Sequence, residues 1–306
     1  MSEQKRKDLV ILGSGPAGLS AAVYAQRAMF DQVVIEKEMF SGGQIVTTDR
    51  IDNYLGLYGE NGYDISVKFR EHADALNVPF IEDEVTELLD REDYMEVHLA
   101  GGDTLQAKNI ILATGAKHRL LGVEGESRLS GAGVSYCATC DGAFFRNQNV
   151  AVVGGGDVAL EDALYLAKTC KHVYLIHRRD TLRGTKVLQN KVFETENITF
   201  LPNYEVEEII GEQSVEKIRL KSNRAADKKE LEISGIFIAI GMEPQSNLVK
   251  GLVEMDDNGY VIAGEDCKTS HKLIYAAGDV RTKSLRQVIT AAADGAAAVY
   301  AIERKD

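Results

Sequence analysis

This chain of 306 residues is poor in cysteine, in long apolar runs and in positive charge, and each shortage excludes a class of protein. With 4 cysteines it cannot be one of the densely cross-linked folds of the secreted world, so a reducing, cytoplasmic setting is expected. The opening stretch, MSEQKRKDLVILGSG, has basic residues and then a short apolar run that stops at glycine. That run is too short for the core of a signal peptide or for a membrane span, and no membrane association is expected. A formal net charge of -12 argues against a broad electrostatic hold on nucleic acid or anionic lipid. Low-complexity segments are also missing. What remains is a soluble globular composition, 44% hydrophobic and 27% charged, in a chain long enough for two domains.

One signal occurs twice. The apolar, β-branched run 8–12 reads as a buried strand and leads into Gly13-Ser-Gly15-Pro-Ala-Gly18. An Ala-rich helical stretch, LSAAVYAQRA, follows, and then a second strand, 32–35, that ends in Glu36. In such a turn the first glycine permits the bend, the second lets backbone N–H groups approach a pyrophosphate, and the third lets helix pack on strand. The helix N-terminus adds partial positive charge toward the phosphates. Downstream, strand 149–153, the turn Gly154-Gly-Gly156-Asp157-Val-Ala159, the helix LEDALYLAK and strand 173–176 repeat the pattern without a gap, Gly13 falling on Gly154, Gly15 on Gly156 and Gly18 on Ala159.

The copies differ where chemistry decides the ligand. Glu36 can accept hydrogen bonds from ribose hydroxyls and repels a 2′-phosphate, so the first site suits FAD or NAD. The matching position is His177, followed by Arg178, Arg179 and Arg183, a basic cluster suited to a phosphate dianion and therefore to NADPH.

The order of these signals divides the chain. Strands 110–116 and 235–241 each run into a glycine and would close one nucleotide-binding unit. The tail has a strand ending at Gly278-Asp279 and an Ala-rich helix but no third nucleotide turn, so it returns to the first unit. The expected fold is α/β, two Rossmann-like nucleotide-binding domains with the second inserted into the first. Residues 1–116 and 246–306 would form the FAD-binding domain, and 117–245 the NADPH-binding domain. The charged stretch 223–230 reads as an exposed hairpin turn.

Taken together, GSGPAG, SGGQ (41–44), ATG (113–115), CATCDG (137–142), GGGDVA (154–159), HRRxxxR (177–183) and GDVR with LRQV (278–288) resemble the low-molecular-weight thioredoxin reductases, in their order and over essentially the whole chain. The resemblance implies a homodimeric FAD enzyme that passes electrons from NADPH through flavin to a Cys-x-x-Cys pair and on to thioredoxin. It implies an FAD site made of Gly13, Ser14, Gly15, Ala17 and Gly18, of Glu36 at the adenosine ribose, and of Lys37, Gly43, Gln44, Asn53, Ala113, Thr114 and Gly115. Gly278, Asp279, Arg286, Gln287 and Val288 would hold the ribityl and flavin end. NADPH would meet Gly154, Gly156, Asp157, Ala159, His177, Arg178, Arg179 and Arg183. Cys140 would lie nearest the flavin, Cys137 would exchange with thioredoxin, and Asp141 would supply or accept the proton. The chain departs from the family pattern at Val158, where Ser or Thr is usual, at Gly184, where Ala is, and at Leu55, where Pro is. Related flavoproteins that draw on ferredoxin lack the arginine cluster present here.

The residues themselves support a redox role for Cys137 and Cys140. A structural zinc site wants four ligands in close pairs, whereas Cys170 and Cys267 are isolated and Cys170 with His172 falls where a helix gives way to a strand; no metal is expected. A disulfide closing so short a loop would constrain the unfolded chain little. A Cys-x-x-Cys pair closes within one turn of backbone, its thiol pKa is readily lowered, and the adjacent Asp141 can act as general acid. Alternatives that keep the nucleotide turns are a ferredoxin donor, another protein acceptor, or a redox sensor that does not turn over. The cysteines and the NADPH turn share the inserted domain while the flavin belongs to the other, and each must come within about 3–3.5 Å of one ring. A rotation of the inserted domain about hinges near Ala116–Arg119 and Glu243–Ser246 is therefore expected.

Overall fold

A strand buried on both faces must divide its side chains between two cores, and β1 (Leu9–Leu12) does so. Leu9 and Ile11 join one apolar cluster, Val10 and Leu12 another. The computed structural model describes residues 6–48 and 50–305, so the first part of the basic opening stretch, residues 1–5, lies outside the described residues. The chain divides into two compact units, 1–117 with 243–306, and 118–242.

In the first unit, β1 leads to α1 (Pro16–Arg27), which begins with proline where a helix has no use for the N–H. β2 (Gln32–Glu36) follows, then α2 (Gly62–Ala75), capped by Asn61, whose side chain accepts the Asp64 N–H at 2.8 Å. Next come β3 (Phe80–Glu82), an antiparallel meander of β4 (Val85–Asp90), β5 (Met95–Leu99) and β6 (Thr104–Ala107), and β7 (Ile110–Leu112). The chain crosses through β8 (Ala116–His118).

The second unit opens with β9 (Val134–Ser135) and the single turn α3 (Ala138–Asp141). β10 (Asn149–Val153), α4 (Asp157–Ala167), β11 (His172–His177), α5 (Lys186–Glu194) and β12 (Ile198–Pro202) alternate as a parallel αβ array. A second meander, β13 (Tyr204–Ile210), β14 (Lys217–Ser222) and β15 (Lys228–Glu232), precedes β16 (Gly235–Ile238). Of the charged stretch, 223–227 turn between β14 and β15 and 228–230 begin β15, all exposed. The returning segment β17 (Met242–Pro244) pairs with β8 in a two-stranded sheet, and the tail adds β18 (Ile274–Ala276) and α6 (Val288–Glu303).

Each unit contains one five-stranded parallel sheet, β18-β7-β1-β2-β3 in the first and β12-β11-β10-β16-β9 in the second. In both, helices cover one face and a three-stranded meander the other. Val150 and Val152 of β10 face the core under α4 and α5, Ala151 and Val153 the core under β13 and β14. The repeat therefore preserves the side-chain parity of the central strand as well as the glycines. Helix α6 returns against α1 at backbone distance: a Cβ on Gly295 would lie 2.1 Å from the Ala17 carbonyl oxygen, and Ser20 Oγ donates to the Ala292 carbonyl at 2.6 Å. Among the described residues no helix is long and apolar enough to cross a membrane.

The first glycine turn depends on one close approach. A Cβ on Gly18 would sit 1.9 Å from the Gly13 carbonyl oxygen, which is backbone and cannot swing aside. Gly18→Ala is expected to destabilise the first unit by roughly 1–3 kcal/mol or more. Thermal unfolding checks this: the transition that reports the first unit should fall while that of the second stays in place.

Candidate functional site

The parallel order brings both glycine turns to the carboxyl ends of their sheets, where open α/β folds bind nucleotides. At the first turn Gly13 adopts φ +103°, and a Cβ there would meet the Ala113 carbonyl oxygen at 2.6 Å. Gly15 has room in front of it, the nearest atom to a built Cβ being the Gly42 carbonyl oxygen at 3.9 Å. Glu36 reaches back from the end of β2: its Oε2 accepts the Ser14 N–H at 2.7 Å and the Ser14 hydroxyl at 2.8 Å, and its Oε1 the Glu38 N–H at 3.0 Å. Gly43 and Gln44 lie in the short helical turn after Gly42, and Lys37 pairs with Glu84 at the surface. Thr114 donates to the Gln245 carbonyl at 2.6 Å, and Gly115, at φ +70°, has open space around it.

The tail completes this cradle. Asn53 Nδ2 donates to Gln287 Oε1 at 2.7 Å, joining two site residues far apart in sequence. Gln287 also caps α6 in a reciprocal arrangement with Thr290. Arg286 lies over the Tyr260 ring, its guanidinium carbon 4.1 Å from the centroid. Among the described residues, buried side-chain polar atoms without a hydrogen-bond partner are Gln32 Oε1, His177 Nε2, Asp279 Oδ1 and Arg286 Nε. All but the first belong to residues expected at a nucleotide. A buried unpaired polar atom costs about 1–3 kcal/mol, so Asp279 Oδ1 and Arg286 Nε point to a polar ligand that pairs with them. Burial pushes the Asp279 carboxyl up, with Lys283 and Arg286 opposing.

At the second turn Gly154 packs against Ala159 and the Ala239 carbonyl, whereas nothing lies within 4 Å of a Cβ built on Gly156. That is the open position where a pyrophosphate can approach backbone. Asp157 Oδ1 accepts the Thr185 N–H at 2.7 Å and the Arg183 N–H donates to the Gly155 carbonyl at 2.6 Å, so the 178–185 loop is folded onto the turn. Arg178, Arg179 and Arg183 are exposed along this loop. His177 is separated from them: it is buried beneath Gly155, where a built Cβ would lie 2.4 Å from its ring. Burial, then Arg183, Arg178 and Arg179, hold its imidazole below the ordinary range, so the positive charge of the cluster comes from the arginines alone. Gly184 has a packing reason: a Cβ would come 2.4 Å from Leu160 of α4. Val158 stands exposed in the first turn of α4, and Leu55 is exposed too.

Cys137 and Cys140 form a disulfide with Cα atoms 5.3 Å apart. The loop is set by the sheet, because β9 pairs in parallel with β16, Val134 against Ile236 and Ser135 against Phe237, and ends two residues before Cys137. The Cys140 N–H donates to Cys137 Sγ at 3.2 Å, a contact that favours a thiolate there once the bond opens. Asp141 Oδ2 accepts the Ser135 hydroxyl at 2.6 Å. Cys170 and Cys267 are buried free thiols; burial raises Cys170, and burial followed by Asp294 pushes Cys267 up to about 12. No group of three or more His, Cys, Asp or Glu side chains able to hold a metal occurs among the described residues.

Two polar clusters were not legible in the sequence. Asp294 of α6 accepts Arg281 through both oxygens, at 2.9 and 2.7 Å, Lys283 at 2.8 Å and the Gly278 N–H at 2.9 Å, which pins the loop that carries Asp279. Burial would raise its carboxyl, but Arg281 and Lys283 win and hold it below the ordinary value. Beside the disulfide, the buried Glu126 accepts the Leu121 and Gly122 N–H groups and the Tyr136 hydroxyl, and His118 stacks on the Tyr136 ring. Burial, then Glu126, raises the Tyr136 phenol. The pairs follow no motif, so no sequence signal marks them.

A family model described as pyridine nucleotide-disulphide oxidoreductase matches residues 7–295. The chain is 42% identical over 295 residues to a thioredoxin reductase of Listeria innocua, covering 96% of this chain and 92% of that one. It is 40% identical over 304 residues to a thioredoxin reductase of Bacillus subtilis, covering 99% and 96%. The crystal structure of thioredoxin reductase from Streptococcus pyogenes superposes with a TM-score of 0.92 at 40% identity, over 98% of each chain.

Proposed function

We propose that this chain, which belongs to the pyridine nucleotide-disulphide oxidoreductase family, works as a thioredoxin reductase that draws electrons from NADPH and delivers them to the disulfide of a thioredoxin. The observation that carries this reading is the Cys137–Cys140 disulfide at the edge of the same sheet that presents the basic nucleotide turn. FAD fits the first unit. Gly15 and Gly43 would leave room for the pyrophosphate, Glu36 would meet the ribose, and the unpaired buried atoms of Asp279 and Arg286 would meet the ribityl and flavin end. When bound, FAD would supply the two-electron relay between nicotinamide and disulfide. NADPH would lie on Gly154 to Ala159, with its 2′-phosphate on Arg178, Arg179 and Arg183 and with neutral His177 supporting the turn from below.

In the delivery step, the Cys137 thiolate attacks the thioredoxin disulfide. One S–S bond breaks, a mixed disulfide forms, and the leaving sulfur takes a proton from Asp141. Cys140 then attacks Cys137, closing the original disulfide, and its thiol proton passes to the second thioredoxin sulfur as that sulfur leaves. Two electrons and two protons end on the acceptor dithiol. Because the nicotinamide and the disulfide are carried by one unit and the flavin by the other, we infer a rotation about the crossings near Ala116–Arg119 and Glu243–Ser246 between half-reactions. We propose a cytoplasmic homodimer as the working form, as the family resemblance implies.

Cys137→Ser and Cys140→Ser should each abolish thioredoxin reduction while NADPH still bleaches the yellow protein under anaerobic titration. Continued thioredoxin reduction in the double variant sinks the assignment. Replacing Arg178 and Arg179 with Ala should raise KM for NADPH about tenfold or more per arginine and leave NADH nearly unchanged; equal losses for both donors reject the phosphate role. A cross-link that fixes the two units should stop steady-state turnover but spare one half-reaction, and full activity in the locked protein excludes rotation.

A further inference from the structure

The Ser135 hydroxyl is in contact with both ends of the redox loop. It donates to Asp141 Oδ2 at 2.6 Å and accepts the Cys137 N–H at 3.1 Å; a third approach, to the Cys137 carbonyl at 3.4 Å, is longer. A hydroxyl has one proton to give and two lone pairs to accept with, so donation to Asp141 and acceptance from Cys137 can coexist. Ser135 is buried, and its backbone is held by parallel pairing of β9 with β16 opposite Phe237. The oxygen therefore has a fixed place in the sheet rather than on the mobile side of the loop. It closes the turn from 137 to 141 a second time, independently of the sulfur–sulfur bond.

From this we infer that Ser135 is a positioning residue for proton transfer: it holds the Asp141 carboxylate in register with the cysteine pair when the disulfide opens, and sets the pH at which that carboxyl gives up its proton. The inference rests on the reading of Asp141 as the proton carrier. The short contact is charge-assisted, and an O–H donated to a carboxylate favours its ionised form. Without the hydroxyl, Asp141 would keep its proton to higher pH and lose this tether to the sheet. Other titratable groups about the loop are the two cysteines, Tyr136, which is tied to Glu126, and Tyr165 of α4, whose ring stands 3.3 Å from a Cβ built on Gly142. On β16 the neighbour is apolar Phe237. Ser135 donates to Asp141 from a residue whose backbone is held in the sheet.

The test uses the holoenzyme with a thioredoxin as acceptor, recording kcat/KM for disulfide exchange against pH in wild type, Ser135→Ala, Ser135→Thr and Asp141→Asn. A second readout, on protein reduced chemically without NADPH, is the pH dependence of Cys137 alkylation by iodoacetamide. Ser135→Ala should move the Asp141-dependent limb upward by about one pH unit, tenfold in the protonation equilibrium. Ser135→Thr, which keeps the hydroxyl, should restore the limb, and the alkylation profile should shift in Ser135→Ala and revert in Ser135→Thr. A Ser135→Ala profile scaled down equally at all pH, or unchanged, while Asp141→Asn removes the limb, overturns the inference and leaves the role of Asp141 standing. A limb that survives in Asp141→Asn overturns the reading of Asp141 itself. If Ser135→Ala does not fold, the Thr variant decides: a shifted limb despite a retained hydroxyl also overturns the inference.

Discussion

Parallel pairing of one central strand with a neighbour on each side is the constraint on which the rest of this molecule depends. Parallel strands all end at one edge, and each return must travel outside the sheet. In the first unit, β1 between β2 and β7 sends the Gly13 turn, Glu36 and the 113–115 segment to a common edge, and β18 beside β7 adds Asp279. In the second, β10 between β11 and β16 does the same with the Gly154 turn, His177 and the arginine loop, and β9 adds the disulfide. No single side chain creates these sites. They follow from strand direction and from helices whose first N–H groups have no partner of their own.

The units share a plan, and their differences follow its positions. The strand next to the central one ends in Glu36 in one unit and in His177 in the other, and the fifth strand ends in Asp279 in one and in the cysteine loop in the other. The redox pair thus stands where the first unit keeps a buried carboxylate. The supports differ as well. Asp294 locks the Asp279 loop through Arg281 and Lys283, and removing one partner from so buried a pair costs about 3–5 kcal/mol. The cysteine loop is tied by weaker neutral and charge-assisted hydrogen bonds through Ser135 and Glu126, as befits a loop that must open and close a covalent bond.

Gly184 shows how a departure from a family pattern touches packing: an alanine methyl would press on the Leu160 side chain, whose tip would have to move. His177 shows the reverse. By position it belonged to a cationic cluster, yet its ring fills the space below Gly155, where burial and the neighbouring arginines keep it neutral. A sequence spaces residues along a line, and consecutive residues at the end of a strand point to opposite sides.

By itself the sequence determined the two glycine turns, the strands and helices around them, the acid at one strand end and the arginines after the other, and the pairing of two thiols one turn apart. These are local: a bend needs glycine, a buried strand needs β-branched residues, and a short loop closes on itself. Only the tertiary structure decided that Asn53 meets Gln287, that Asp294 clamps Arg281, and that Ser135 bridges Cys137 and Asp141. The first two depend on how the tail packs against the rest of its unit, and the third, though its residues are neighbours in sequence, on β9 being held beside β16.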